Sequence, residues 1–196
     1  EMVWTSTESD TNLDILKAYG TGIWGSSDSF NFHQDQRPIA DGAFDVIAYT
    51  QEFHTGYAKA KGGIMIRDSN DASAAHAFIG MSGYYNGVTF ITRDNEGGIT
   101  KHHKTVYVPH HKAWIRLSKP ASSGVIRAYY KIDAADDWIE LVSTEGPPEV
   151  TFTGTMLNVG TAATAGDENG NGNVQLKTSG YEIIDGGANR KKMLRA

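Results

Sequence analysis

Three short segments of this chain share one pattern, in which apolar residues alternate along a strand-like run that carries an arginine. The segments are Ile64–Arg67, Val88–Arg93 and Trp114–Leu117. Because successive side chains of a β-strand point to opposite faces, each segment has one largely apolar face and a second face that carries its arginine. The pattern predicts strands whose apolar faces lie against a core.

If these strands are near neighbours, Arg67, Arg93 and Arg116 lie on one face of one sheet. The same alternation places three further side chains with them, namely Met65, Ile91 and Trp114. An unpaired buried guanidinium is very costly. The arginine face is therefore expected to be wet, paired with carboxylates or used to bind a ligand.

The composition favours an all-β antiparallel β-sandwich. The chain has 196 residues, enough to bury a good core, and 22 of them are glycine. Runs of β-branched and aromatic residues alternate with Gly, Asn, Asp and Ser, and long helical periodicity is missing. We predict one domain over residues 1–185 and a linker or tail over residues 186–196.

Charge and cysteine content exclude several classes of function. The net charge is −5, which argues against a general nucleic-acid-binding protein. There are no cysteines, so disulfides, thiolate metal sites and cysteine nucleophiles are excluded. No apolar stretch approaches the roughly 20 residues of a membrane span, so membrane insertion is not expected. The first residue is Glu rather than Met, which suggests a processed protein or a module of a larger multidomain protein.

The chain divides into strand-like segments joined by turns. Residues 11–20 fit a strand slightly better than a helix, residues 51–61 are expected to form a loop, and Tyr84–Gly87 is a hairpin turn because Asn-Gly readily adopts positive φ. Strands are predicted over residues 29–33, 43–50, 62–67, 76–81, 88–93, 105–108, 113–118, 125–132, 138–142, 156–163 and 174–184.

The order of these pieces resembles laminin G-like jelly-roll modules of the concanavalin A-like lectin/glucanase superfamily. The matching motifs are Gly22-Ile-Trp24-Gly25, Asp41-Gly42-Ala-Phe44, Gly63-Ile-Met-Ile-Arg67, Gly87-Val-Thr-Phe90, Trp114-Ile-Arg116-Leu117, Ala128-Tyr-Tyr130 and Val159-Gly-Thr-Ala162. The resemblance covers about residues 20–185 and implies a concanavalin A-like jelly roll. It also implies a secreted or cell-surface protein, since such modules are often appended to secreted glycoside hydrolases. Departures are the Lys61-Gly62 insertion, tyrosine rather than tryptophan at position 57, and the histidine-rich segment 102–111.

The leading functional use of the arginine face is carbohydrate binding on a concave sheet. Aromatic rings cover the apolar faces of sugars, and guanidinium groups bind hydroxyls and carboxylates. The predicted ligand-binding residues are Trp24, His33, Tyr57, Arg67, His76, Arg93, Trp114 and Arg116. The alternative is that the arginines pair with carboxylates such as Asp45, Glu52 or Asp94 and only hold the sheet together.

Two histidine pairs flank the predicted strand 105–108. His102 and His103 precede it, and His110 and His111 follow it. If the segment folds as a hairpin, one histidine of each pair could approach a divalent ion. The segment is also a basic edge that would attract uronic or sulfated polysaccharide. Surface histidines without a role are the other interpretation.

Residues 167–174 match the first half of a calcium loop. Asp167, Asn169 and Asn171 offer oxygen ligands on alternate positions, and Gly172 follows at the turn. The terminal glutamate of an EF-hand would fall at Thr178, so the EF-hand interpretation fails. A looser calcium site and an ordinary Gly-Asn hairpin both remain open.

The sequence lacks the signatures of catalysis. It has no strand with the paired acidic residues of a retaining glycosidase, and no phosphate-binding loop or serine-hydrolase elbow. We therefore predict a noncatalytic, lectin-like module that binds polysaccharide. A glycan hydrolase or polysaccharide lyase using the same groove is the alternative, with Tyr57, His76 and Arg67 as a conceivable lyase set. An adhesion or protein-interaction module is the second alternative.

Overall fold

The computed structural model describes residues 13–38, 42–84, 87–121, 124–169 and 172–186. These residues form β-strands and one 3₁₀ turn at Pro109–His111. In chain order the strands are β1 (Leu13–Ala18), β2 (Asn31–Pro38), β3 (Phe44–Thr55), β4 (Lys61–Arg67), β5 (His76–Ser82), β6 (Gly87–Arg93), β7 (Lys101–Tyr107), β8 (Ala113–Lys119), β9 (Arg127–Lys131), β10 (Ile139–Glu140), β11 (Met156–Thr164) and β12 (Val174–Asp185). No helix in these ranges has the length and apolar character needed to span a membrane.

The strands form two six-stranded antiparallel sheets. Sheet I has the order β1-β12-β3-β8-β9-β10, and sheet II has the order β2-β11-β4-β5-β6-β7. Neighbours that are distant in sequence, such as β11 between β2 and β4, produce long crossover connections of the kind found in β-sandwiches. The predicted all-β antiparallel sandwich is confirmed.

The core lies between the two sheets and follows the alternation read from the sequence. Ile64 and Ile66 of sheet II and Ile115 and Leu117 of sheet I belong to one buried cluster, and each is 0% exposed. Fully burying one such side chain contributes about 1.5–3 kcal/mol. The inward faces of the three arginine-bearing strands were therefore predicted correctly.

The prediction that all three arginines share one face is wrong. Arg67 and Arg93 lie on β4 and β6, in the same register row of sheet II, where β5 separates them. Arg116 lies on β8, which belongs to sheet I. Because its neighbours Ile115 and Leu117 face the core, Arg116 points outward on the opposite side of the sandwich.

Several element boundaries differ from the sequence prediction because strand pairing overrides local composition. β3 continues to Thr55, into the expected 51–61 loop, because it pairs with β12 as far as Val174. β7 begins at Lys101 because it pairs with β6 across a register shift between Phe90 and Ile91. The expected strands 125–132 and 138–142 are shorter, at Arg127–Lys131 and Ile139–Glu140. The predicted tail beyond residue 186 and the tip of the 84–87 turn lie outside the described residues.

Candidate functional site

The outer face of sheet II is partly covered by the chain segment between β1 and β2. Ile23 of this segment is 0% exposed and packs with Met65, Phe78, Ile91 and Ala162 in a second apolar cluster. A bridge between Gly22 and Ser29 closes the segment into a loop. Of the three outward side chains predicted to accompany the arginines, Met65 and Ile91 are thus buried by this covering loop, whereas Trp114 lies on β8 of sheet I.

At one end of this face a buried carboxylate lies between the two sheet II arginines. Asp28 of the covering loop accepts hydrogen bonds from Arg67 Nη1 at 2.6 Å, Arg93 Nη1 at 2.8 Å and Arg93 Nη2 at 2.7 Å. The three side chains are 0–1% exposed. We call Asp28, Arg67 and Arg93 the arginine clamp. Breaking a buried pair of this kind by removing one partner typically costs about 3–5 kcal/mol.

Backbone carbonyls accept most of the other clamp hydrogen bonds, and Thr100 Oγ1 accepts one from Arg93 Nη2 at 3.3 Å. Arg93 donates to the carbonyls of Gly25, Ala72 and Ala74 at 2.9–3.2 Å. Arg67 donates to the carbonyl of Ser69 at 2.9 Å and to that of Asp71. The clamp therefore links the covering loop to the turn that joins β4 and β5, and its side chains are closed to a ligand.

His76 lies against the clamp and is also closed to solvent. Its side chain is 0% exposed, and Nδ1 is 3.4 Å from Asp28 Oδ2. Burial lowers the pKa of His76 to about 3, with Asp28 opposing and Arg67 and Arg93 adding to the shift. His76 is therefore neutral at neutral pH. The prediction that Arg67, His76 and Arg93 contact a ligand is corrected: they hold the structure together.

At the other end of the same face the covering loop leaves an open pocket of about 430 Å³. We call it the lysine pocket. Its principal side chains are Trp24, Lys61, Ser82, Tyr84, Thr89 and His102, with Lys59 and Glu168 at its border. Trp24 is 51% exposed and Tyr84 is 67% exposed, so two aromatic side chains reach the solvent at its rim.

Lys61 is the central charged group of this pocket. Its Nζ lies 5.7 Å from the centroid of the Trp24 ring and donates to the Lys59 carbonyl at 3.3 Å. Burial lowers the pKa of Lys61 to about 8. Glu168 is bound by Lys59, and within the described ranges no salt bridge reaches Lys61. Lys61 is thus a partly buried cation without a bonded carboxylate.

Thr89 of β6 and His102 of β7 also line the pocket. Thr105 Oγ1 donates to Thr89 Oγ1 at 2.9 Å, and His102 Nε2 lies 2.7 Å from Thr105 Oγ1. Burial, with a smaller contribution from Lys61, lowers the pKa of His102. His102 is therefore mainly neutral at pH 7, and its Nε2 takes part in the hydrogen-bonded chain with Thr105 and Thr89.

Two glycines keep side chains away from the adjoining stretch of the sheet. Gly63 and Gly80 are paired across β4 and β5, between the Lys61 row and the Met65 row. A Cβ atom at Gly63 would lie 2.1 Å from the Ile79 carbonyl oxygen, and one at Gly80 would lie 2.3 Å from the Gly62 carbonyl oxygen. The close strand approach therefore requires glycine here, and it leaves the surface beside Lys61 flat.

The other predicted ligand residues lie elsewhere. On the outer face of sheet I, Trp114 packs against Tyr49 with ring centroids 5.2 Å apart, and Arg116 binds Asp45 at 2.7 Å. Asp45 is one of the carboxylates named in the alternative interpretation. His33 lies on β2 with Nδ1 3.1 Å from Asp14.

Tyr57 follows β3 and is 38% exposed. It is not among the residues that line the lysine pocket. Of the eight predicted ligand residues, Trp24 is therefore the one that the structure places there.

The four histidines of segment 102–111 do not come together at one site. His102 faces the lysine pocket, whereas the His103 ring packs near Phe90, with centroids 5.1 Å apart. His110 and His111 lie in the 3₁₀ turn with φ values of 56° and 53°. No group of three or more His, Cys, Asp or Glu side chains in the described parts of the chain is placed to hold a metal ion. The expected hairpin is instead a strand followed by a tight turn.

The predicted calcium loop is only partly described. Asp167 Oδ1 accepts a hydrogen bond from the backbone N–H of Asn169 at 3.1 Å, as in an ordinary Asx turn. Asn171 lies outside the described residues. Glu168, the adjacent carboxylate, binds Lys59. This local geometry fits the hairpin interpretation, and calcium binding stays a prediction.

Sequence reasoning missed Lys61, Tyr84 and Asp28. Lys61 could have been found, since it occupies the same alternation as Met65 and Arg67. Asp28 could not, because one carboxylate in a Gly- and Ser-rich loop carries no signal of its distant partners.

No protein-family model matches this sequence, and no curated protein matches it in a sequence search. Solved structures do match. A protein of unknown function from Saccharomyces cerevisiae superposes with a TM-score of 0.66 at 14% identity, covering 92% of this chain and 92% of that one.

Several of the matching structures are enzymes, and two of them illustrate the range. A xylan β-1,4-xylosidase from Bacillus halodurans has a TM-score of 0.54 at 14% identity, over 87% of this chain and 32% of that chain. An alginate lyase of polysaccharide lyase family 7 has a TM-score of 0.52 at 12% identity, over 90% of this chain and 80% of that chain. At these identities the likeness concerns the fold alone, and this chain is an antiparallel β-sandwich of the jelly-roll kind.

Proposed function

We propose that this chain is a noncatalytic, lectin-like module that binds a polysaccharide through the lysine pocket. The observation that carries the proposal is an open pocket in which an exposed Trp24 ring lies beside Lys61 and several hydroxyl groups. We further propose that it belongs to the concanavalin A-like lectin/glucanase superfamily and acts outside the cell or at its surface, as part of a larger protein.

The chemistry of the pocket suits a sugar. Aromatic rings such as Trp24 and Tyr84 cover the apolar C–H faces of a pyranose, while hydroxyl, imidazole and ammonium groups satisfy its oxygens. Ser82 and Thr89 supply such hydroxyls on the sheet. The volume of about 430 Å³ is within the range of small-ligand sites, so it fits one or two sugar units of a longer chain.

The structural neighbours support a glycan as the ligand. One is named as a xylan xylosidase and one as an alginate lyase, so both act on polysaccharides. The match covers 32% of the xylosidase chain, which supports the idea of a module within a longer protein. Among the described residues that line the pocket, Glu168 is the one carboxylate, and it is bound by Lys59. Glycoside hydrolysis ordinarily uses a pair of carboxyl groups, so this lining favours binding.

The test is a panel of soluble xylan, cellulose, alginate and pectin oligosaccharides measured by calorimetry, with product analysis on the same samples. We expect binding to at least one, and about a 10-fold or greater loss for Trp24→Ala, as for an aromatic anchor. Trp138 precedes β10 and lies against Arg116, which is on the outer face of sheet I, so Trp138→Ala is the matched control and should keep the affinity. No binding to any oligosaccharide would contradict the proposal, and release of reducing or unsaturated ends would favour the enzyme alternative.

Calcium binding at residues 167–171 is a separate proposal. Asp167 would supply a carboxylate oxygen, and calcium would stabilise the fold by mass action. We expect a higher unfolding temperature in calcium than in chelator, and a smaller difference in Asp167→Ala. Equal temperatures in both solutions would contradict this proposal.

A further inference from the structure

Resting on the proposed glycan site, we propose that the lysine pocket selects sugars that carry a negative charge, with the Lys61 ammonium as the partner of that charge. A hexuronic acid residue is the ligand chemistry we expect. The inference concerns which sugar is bound, and it can fail while glycan binding itself holds.

The first step is the charge around Lys61. The ionisable groups that face it are Lys59, His102, Tyr84, Glu168 and, through the covering loop, Asp28. Of these, only Glu168 and Asp28 are carboxylates. If neither carboxylate had another partner, their negative charges would balance the positive charge of Lys61.

Both carboxylates are already bound by other cations. Glu168 pairs with Lys59, and that contact lowers the pKa of Glu168. Asp28 is held by two arginines in the arginine clamp, so the clamp end of the face has no excess of negative charge to offer Lys61. Lys61 therefore lies in a locally basic pocket on a chain whose net charge is −5.

The second step is the environment of the ammonium group. Desolvation is the largest cause of the lowered pKa of Lys61, which means that burial disfavours its charge. A partly desolvated cation without a bonded anion gains most when a ligand brings that anion. Binding a carboxylate would raise the pKa of Lys61 again, so binding and protonation of Lys61 are coupled.

The third step is geometry. The ammonium lies 5.7 Å from the Trp24 ring centroid, so a sugar ring on the exposed side of Trp24 has its substituents within reach of Lys61. The carboxylate of a hexuronic acid is attached directly to the sugar ring, and one such residue can satisfy both groups. A small carboxylate anion without a sugar ring would pair with Lys61 but would make no stacking contact with Trp24.

The test compares an oligogalacturonate with its carboxyl-reduced, neutral counterpart. We expect the acidic oligosaccharide to bind about 10- to 100-fold more tightly, the range expected for one hydrogen bond to a charged group. Lys61→Met should remove this preference, whereas Lys61→Arg should keep it. Lys177→Met, on the outer face of sheet I, is the matched control and should leave the preference unchanged.

The pH profile gives a second readout. Affinity for the oligogalacturonate should fall as pH rises above about 8, where Lys61 loses its proton. The fall should be absent in Lys61→Arg, because arginine stays charged. Affinity for the neutral oligosaccharide should change much less over the same interval.

Three outcomes would overturn the inference. Equal affinity for the acidic and neutral oligosaccharides would remove the charge selection and leave the proposed function standing. Competition by sodium acetate as strong as that by sodium galacturonate would show a small-anion site rather than a sugar site. Failure of every oligosaccharide to bind would overturn the proposed function and, with it, this inference.

Discussion

The two ends of the outer face of sheet II differ in how they treat positive charge. At one end Asp28 lies between Arg67 and Arg93, and the covering loop excludes solvent. At the other end Lys61 has no bonded carboxylate in the described ranges, and the loop leaves a pocket. Equivalent positions on the same strands thus give a structural clamp where a carboxylate is supplied and a candidate binding site where it is not.

The comparison predicts opposite effects on stability, and the largest is at the clamp. Asp28→Asn leaves two guanidinium groups buried without their anion, and we expect the free energy of unfolding to fall by about 3–5 kcal/mol. Chemical denaturation of the variant and the unmutated protein measures this loss of unfolding free energy. Glu140→Gln, which removes the partly exposed partner of Arg127, should cost less than about 1 kcal/mol. Equal losses of unfolding free energy in Asp28→Asn and Glu140→Gln would contradict the idea that the buried clamp stabilises the fold more than an exposed ion pair does.

The second prediction concerns acid. The pKa of His76 is about 3 in the fold and about 6.5 when unfolded, so the unfolded chain binds the extra proton between these values. The contribution of neutral His76 to the free energy of unfolding is therefore fully present above pH 6.5. It falls as the pH drops towards 3, by up to about 1.4 kcal/mol per pH unit.

Denaturation curves from pH 7 to pH 4 measure this slope. His76→Gln should flatten it relative to the unmutated protein. His33→Gln, a change at an exposed histidine, should not flatten it. The same slope in all three proteins would contradict the assignment to His76.

The third prediction tests the flat strand pair beside the pocket. Gly63→Ala places a methyl group against the Ile79 carbonyl, and we expect a loss of about 1–3 kcal/mol because the strands must separate. Gly56→Ala, where nothing lies within 4 Å of the added Cβ, should change stability by less than about 0.5 kcal/mol.

The smallest effect is expected at Lys61, and it has the opposite sign. Lys61→Met removes a partly buried charge that has no bonded anion, so the free energy of unfolding at pH 7 should rise by about 0.5–1 kcal/mol while ligand affinity falls. Thermal unfolding of this variant beside Lys177→Met measures the gain. A destabilised Lys61→Met would contradict the idea of an uncompensated cation.

Much of the fold could be predicted because alternation is a local signal. Ile64 and Ile66 on one side and Met65 and Arg67 on the other follow from strand geometry alone. Assignment of strands to sheets is a long-range property. The sequence gives no reason why Trp114 and Arg116 belong to sheet I, and that is why the three-arginine face was wrong.

The site was less predictable, for a related reason. Trp24 was identified by its residue type, but its neighbours Lys61, Tyr84 and His102 come from β4, the β5–β6 turn and β7. Whether Arg67 is available to a ligand depends on Asp28, which lies 39 positions earlier in the chain. Partners this distant leave no mark in the local pattern.

The most direct test follows the indole N–H signals of the tryptophans by NMR during titration with the oligogalacturonate. Single Trp→Phe variants assign the signals of Trp24, Trp114 and Trp138. The account predicts that the Trp24 signal shifts with saturation, that those of Trp114 and Trp138 stay in place, and that Lys61→Met weakens the response about 10-fold or more. A shift confined to Trp114 or Trp138, on the outer face of sheet I, would contradict it.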